Sequence, residues 1–129
     1  MKFLIAITLS VFLSSNLQAS EWSQWRGPDR NGISSEKDLL DAWPENGPEL
    51  LWEANGLGIG YSSVSVAGGR LYTMGDGDKA SHIHCVNIKD GKIAWSSKPI
   101  GKTGGDYEGT RGTPTLDGDH LYALGQFGD

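Results

Sequence analysis

A thirteen-residue segment recurs in this chain at a fixed interval, and that recurrence limits the fold more than any other feature. Ser63-Val64-Ser65-Val66-Ala67-Gly68-Gly69-Arg70-Leu71-Tyr72-Thr73-Met74-Gly75 lines up, fifty positions on, with Thr113-Pro114-Thr115-Leu116-Asp117-Gly118-Asp119-His120-Leu121-Tyr122-Ala123-Leu124-Gly125. Gly68/Gly118, Leu71/Leu121, Tyr72/Tyr122 and Gly75/Gly125 are identical pairs. In the first copy Val64 and Val66 fall on one face of a strand, and Gly68-Gly69 makes a hairpin turn. A second echo links Leu50-Leu51-Trp52 to Ile93-Ala94-Trp95, forty-three residues apart. A recurring unit that cannot bury its apolar face alone must stack on its neighbours.

Between the two copies lies Cys85-Val86-Asn87-Ile88-Lys89-Asp90-Gly91-Lys92-Ile93-Ala94-Trp95. It reads as a strand, a tight Asp-Gly turn and a second strand. Gly has no Cβ and supplies positive φ, which Asp also tolerates. Ile93 and Trp95 then share one face of the outgoing strand, with Ala94 on the other. Strands are expected over residues 61–67, 70–75, 81–87 and 92–98, with a loop at Asp76-Gly77-Asp78. Four such strands joined by short turns form an antiparallel meander. A four-stranded repeat of ~40–50 residues is the pattern of a propeller blade. The expected fold class is all-β, a β-propeller of four-stranded antiparallel blades with about one and a half blades present, an incomplete ring.

The front of the chain has a different character. Met1-Lys2 precedes an apolar-to-Ser run over residues 3–13, and Leu17-Gln18-Ala19 offers a small residue where signal peptidase cuts. Residues 1–19 are therefore expected to be a cleaved signal peptide, since the run is too short to span a bilayer. Residues 20–48 hold Trp22, Trp25, Trp43 and several Gly/Pro turns, and read as an arm laid over a sheet with tryptophans as apolar anchors. One or two helical turns over residues 35–42 would face Leu39 and Leu40 inward. Residues 49–55 read as a short strand, and 49–129 as the repeat region. Gly56-Leu57-Gly58-Ile59-Gly60 fails the spacing of a dinucleotide loop and precedes β-like sequence, so it is read as a flexible connection.

Charge and cysteine usage exclude some functions. The chain carries 11 basic and 16 acidic side chains with no basic cluster, so it has no electrostatic footprint for nucleic acid. Cys85 is the single cysteine and sits in an expected strand, which favours a small buried residue over a reactive thiol.

The stretch from Cys85 to Trp95 resembles the tryptophan-docking motif of PQQ-type β-propellers, Ala-x-Asp-x-x-Thr-Gly-Lys-x-x-Trp. Gly91, Lys92 and Trp95 match directly, while Cys85, Asn87 and Asp90 depart mildly from it. Trp22-x-x-Trp25-Arg26-Gly27-Pro28 and Arg111-Gly112-Thr113-Pro114 are similar to the exported PQQ-like repeat proteins of bacteria. The resemblance implies that Trp52, Gly91 and Trp95 are structural docking residues between blades. It also implies a periplasmic or extracellular binding or assembly scaffold, with closing blades supplied by the same longer chain. A ring of even four blades requires roughly 160 residues. The expected partner is a protein or small-molecule ligand over an axial face.

Loops spanning residues 58–62 and 104–112 fall on one such face, where Asp106, Tyr107, Glu108 and Arg111 are the candidate contacts. No catalytic or metal-ligating set is assigned. The alternative implied by the resemblance is a PQQ-dependent quinoprotein dehydrogenase acting on alcohols or sugars, with Ca²⁺ polarising the quinone and the active site beyond residue 129. That chemistry needs oxygen ligands and a carboxylate base, and the adjacent cysteine pair common in such enzymes does not occur here. His82 and His84 share a strand face but lack a third ligand at suitable spacing. Asp76-x-Asp78 lacks the remaining acids of a Ca²⁺ loop.

Overall fold

The computed structural model describes residues 21–129; the expected signal peptide, 1–19, lies outside the described residues. Six strands and no helix form among them: β1 (Ser65–Ala67), β2 (Arg70–Asp76), β3 (Ser81–Asn87), β4 (Ile93–Ser96), β5 (Thr115–Asp117) and β6 (His120–Tyr122). None of the described residues forms a helix long and apolar enough to cross a membrane. β1 to β4 build one antiparallel meander in chain order, and β5 and β6 form a separate hairpin. The all-β expectation and the order of the four strands agree with this. The outer strands are shorter than expected, because pairing fails where β1 leaves the Gly68-Gly69 turn behind and where β4 runs past Ser96.

The sequence repeat is also a structural repeat. Ser65↔Tyr72, Val66↔Leu71 and Ala67↔Arg70 pair across the first hairpin. Thr115↔Tyr122, Leu116↔Leu121 and Asp117↔His120 pair across the second, each position displaced by the same fifty residues. The arm connects the two hairpins. Trp22 exchanges both backbone hydrogen bonds with Val66 at 2.8 Å, and the next residue, Ser23, accepts from Leu116 N–H at 2.8 Å. One short extended segment thus satisfies equivalent edge groups on both units, which would otherwise be left unpaired.

The core sits between β2 and β3. Met74, Ile83, Cys85 and Val86 are its buried apolar side chains, with Pro114 packed from the second unit. Cys85 is 1% exposed and lies opposite Tyr72 in the ladder. Burial pushes its thiol pKa up, and likewise the Tyr72 phenol, so the cysteine behaves as a small buried hydrophobe.

Several local expectations are corrected. Residues 49–55 are extended but form no strand, because no ladder runs beside them; Leu50 and Leu51 stay exposed. Residues 35–42 form no helical turn: Asp38 takes a positive φ of 59°, and Leu39 and Leu40 point outward. Of the arm tryptophans, Trp22 is half-buried over Gly27, whereas Trp25 and Trp43 are exposed. The Asp90-Gly91 turn is wider than a two-residue hairpin. Asn87 and Lys92 close it, Gly91 alone has positive φ (68°), and a β-bulge follows at Cys85/Val86.

The glycine run is not a loose linker. Ile59 and Asp76 exchange backbone hydrogen bonds at 2.8 and 2.9 Å, and Gly60 pairs with Thr110. A Cβ on Gly58 would meet the Asp76 backbone, and one on Gly60 would lie 2.7 Å from Thr110 Oγ1. These glycines allow three backbone segments to cross at close range.

Candidate functional site

At the end of the sheet where β2 leaves and β3 begins, loops 56–59, 76–78 and 103–108 enclose an open cleft of about 580 Å³. Asp76 organises it. Its carboxylate is 4% exposed and accepts hydrogen bonds from Ser81 Oγ (2.6 Å, on Oδ1) and Thr103 Oγ1 (2.7 Å, on Oδ2). The backbone of the same residue holds Ile59. One side chain therefore joins the end of β2, the start of β3 and the loop that returns from β4. A buried carboxylate persists only when its oxygens are hydrogen-bonded, which these hydroxyls accomplish.

The four candidate contacts separate in the structure. Glu108 lines the cleft together with Asp76, Asp78, Thr103 and the glycine backbones. Asp106 and Tyr107 are exposed on the same loop but do not line it. Arg111 is turned back on its own segment. Its Nη1 donates to Gly109 O (3.3 Å), its Nη2 to Tyr107 O (3.2 Å), and its guanidinium lies 5.5 Å from the Tyr61 ring centre. Gln126 Nε2 donates to Gly104 O and Tyr107 O, so the loop is fixed from two sides. Arg111 thus positions the loop.

Trp52 has a definite place. Its Nε1–H donates to Ile88 O at 2.9 Å, and its six-membered ring lies against Gly91, where an added Cβ would be 2.5 Å from Cε3. An indole from outside the meander therefore sits on the β3–β4 turn, with both its apolar face and its polar edge used. Trp95, its counterpart in the sequence, packs against Tyr72 with ring centres 6.1 Å apart and is 45% exposed.

His82 and His84 do share a face, with ring centres 6.3 Å apart. Each Nδ1 reaches across to β4 or just past it: His82 donates to Ser97 O (3.0 Å), and His84 lies 2.8 Å from Ser96 Oγ. No group of three or more His, Cys, Asp or Glu suited to a metal occurs among the described residues. Desolvation, and secondarily the charge of His82, lower the His84 pKa. The unfolded chain then binds more protons than the folded one below the ordinary His value of about 6.5. The stabilisation is complete above that pH and is lost as pH falls toward the lowered folded value. The urea midpoint should accordingly drop between pH 7 and pH 5, and His84→Gln should flatten that dependence. A wild-type midpoint that is level over this range would contradict the assignment.

Asp76 and the Gly58/Gly60 crossing escaped sequence reasoning. An acid closing a strand before Gly looks like any turn residue, and only the partner hydroxyls, 5 and 27 residues away, give it a role. The chain matches no family model, no curated protein and no solved structure.

Proposed function

We propose that this chain is part of an exported PQQ-like β-propeller repeat protein that serves as a binding and assembly scaffold. The observation that carries the reading is Trp52 seated on Gly91, with its indole N–H on Ile88 O. That contact links a segment preceding one repeat to the turn inside it, which is how stacked units gain order from their neighbours. The fifty-residue register match of the two hairpins supports the same reading. In this scheme β1 to β4 are one blade, β5 and β6 the first half of the next, and the ligand face is the cleft beside Glu108, with Asp106 and Tyr107 at its rim. The residues of this cleft do not fit PQQ itself, because its charged lining side chains are carboxylates facing what would be a polycarboxylate quinone.

Two measurements on the full chain test the proposal. Expressed with its own leader in a bacterium, the chain should be recovered outside the cytoplasm with Ser20 at its N-terminus. Titration with PQQ and Ca²⁺ should leave the quinone absorbance unchanged. Uncleaved chain retained in the cytoplasm would overturn the exported reading, and a saturable one-to-one spectral shift would overturn the scaffold reading.

A further inference from the structure

The two hairpins share one register, but they differ in what lies beyond their second strand. β2 is covered along its length by β3, from Arg70↔Asn87 to Asp76↔Ser81. β6, which occupies the equivalent place, pairs only with β5 among the described residues. The first unit also shows what its missing counterpart has to supply. There the chain leaves β3 at Ile88, whose N–H donates to Gly69 O in the first hairpin turn (3.3 Å), and whose carbonyl accepts from Trp52. Three residues later Gly91 lies under the Trp52 ring.

Each of those receiving groups has an equivalent in the second unit. The fifty-residue offset carries Gly69 to Asp119, and the tryptophan echo carries Trp52 to Trp95. The structure brings these equivalents together. Trp95, Gly118, Asp119 and His120 line one notch of about 290 Å³, with Tyr72 and Leu121 at its base. The indole is half exposed, and no hydrogen bond of its Nε1 is present among those formed by the described residues.

We infer that the β6 edge and the Trp95 notch together form a receptor for a β-hairpin of the β3–β4 type, carried by a further repeat unit. The incoming strand would pair antiparallel with β6, placing an apolar residue opposite Leu121 and a small one opposite Tyr122, as Val86 and Cys85 stand opposite Leu71 and Tyr72. Its turn would donate one N–H to Asp119 O and offer one carbonyl to Trp95 Nε1–H. Three residues after that carbonyl it must carry glycine, because the ring approaches too closely for any Cβ and the position has positive φ. The inference rests on the scaffold reading for its biological sense, but its geometry comes only from the internal repeat.

A peptide of residues 81–94 of this chain is a suitable probe, since it holds the strand and turn but no tryptophan. Added to the full chain, it should change tryptophan emission saturably. Trp95→Phe in the chain should abolish that change, and Gly91→Ala in the peptide should weaken binding by about tenfold or more. Absence of saturable binding, or binding unaffected by either substitution, would overturn the inference. Concentration-dependent dimerisation of the chain alone that Trp95→Phe removes would overturn it in favour of a second copy as the occupant. A PQQ-dependent shift would refute the scaffold reading while leaving this result intact, so the two failures are distinguishable.

Discussion

Gly91→Ala should lower the stability of the chain by about 2–4 kcal/mol, more than its single added methyl would suggest. The residue has φ of +68°, a region in which a side chain stores strain of about 1–3 kcal/mol. The new Cβ would also stand 2.5 Å from Trp52 Cε3, so the indole must leave its seat. Displacing it removes the Nε1–H bond to Ile88 O and exposes ring surface on both partners. Trp52→Ala should remove the same contact from the other side. Because Trp52 is only half-buried, its loss should cost about 2–3 kcal/mol, below the 3–5 kcal/mol of a fully buried ring. The decisive measurement is the double variant in urea unfolding. Two residues sharing one contact are non-additive, so Gly91→Ala should cost clearly less in a Trp52→Ala background. Full additivity would show that the dock contributes nothing.

Asp76→Ala should have the second large effect, about 1.5–3 kcal/mol, from the loss of charge-assisted hydrogen bonds. The carboxylate is the joint acceptor for Ser81 and Thr103. Without it, Thr103 keeps no hydrogen bond from its hydroxyl, whereas Ser81 Oγ retains Lys102 O at 3.2 Å. The consequence should therefore be uneven. Amide exchange should rise most over residues 101–108, while β2 and β3 stay protected by their seven-residue ladder. Asp76→Asn keeps the shape and one acceptor oxygen, and should fall between the two. Uniform loss of protection across the sheet would mean that Asp76 acts on the core and not on the cleft.

Both effects arise at positions the sequence marked unequally. Gly91 and Trp52 were visible because one lies in a motif and the other in an echo of it. Asp76 was not, because a strand-ending acid has no periodicity. The cleft contacts illustrate the same limit. Arg111 looks from sequence like a free loop cation, yet its donors are taken by Gly109 O, Tyr107 O and the Tyr61 ring. Glu108, with no distinguishing neighbour, is the member of that group that lines the cleft.

By itself the sequence determined the strand order of the meander, the equivalence of the two hairpins and the burial of Cys85. Each depends on local alternation, turn chemistry or a fixed interval, all of which are written along the chain. Tertiary structure alone decided that residues 49–55 form no strand, that the glycine run is a tight crossing, and that residues 22 and 23 tie the two units together. A strand exists only when a second edge pairs with it, and a glycine is required only where another backbone comes near. Those partners lie tens of residues away, and no local pattern of side chains records where they will be.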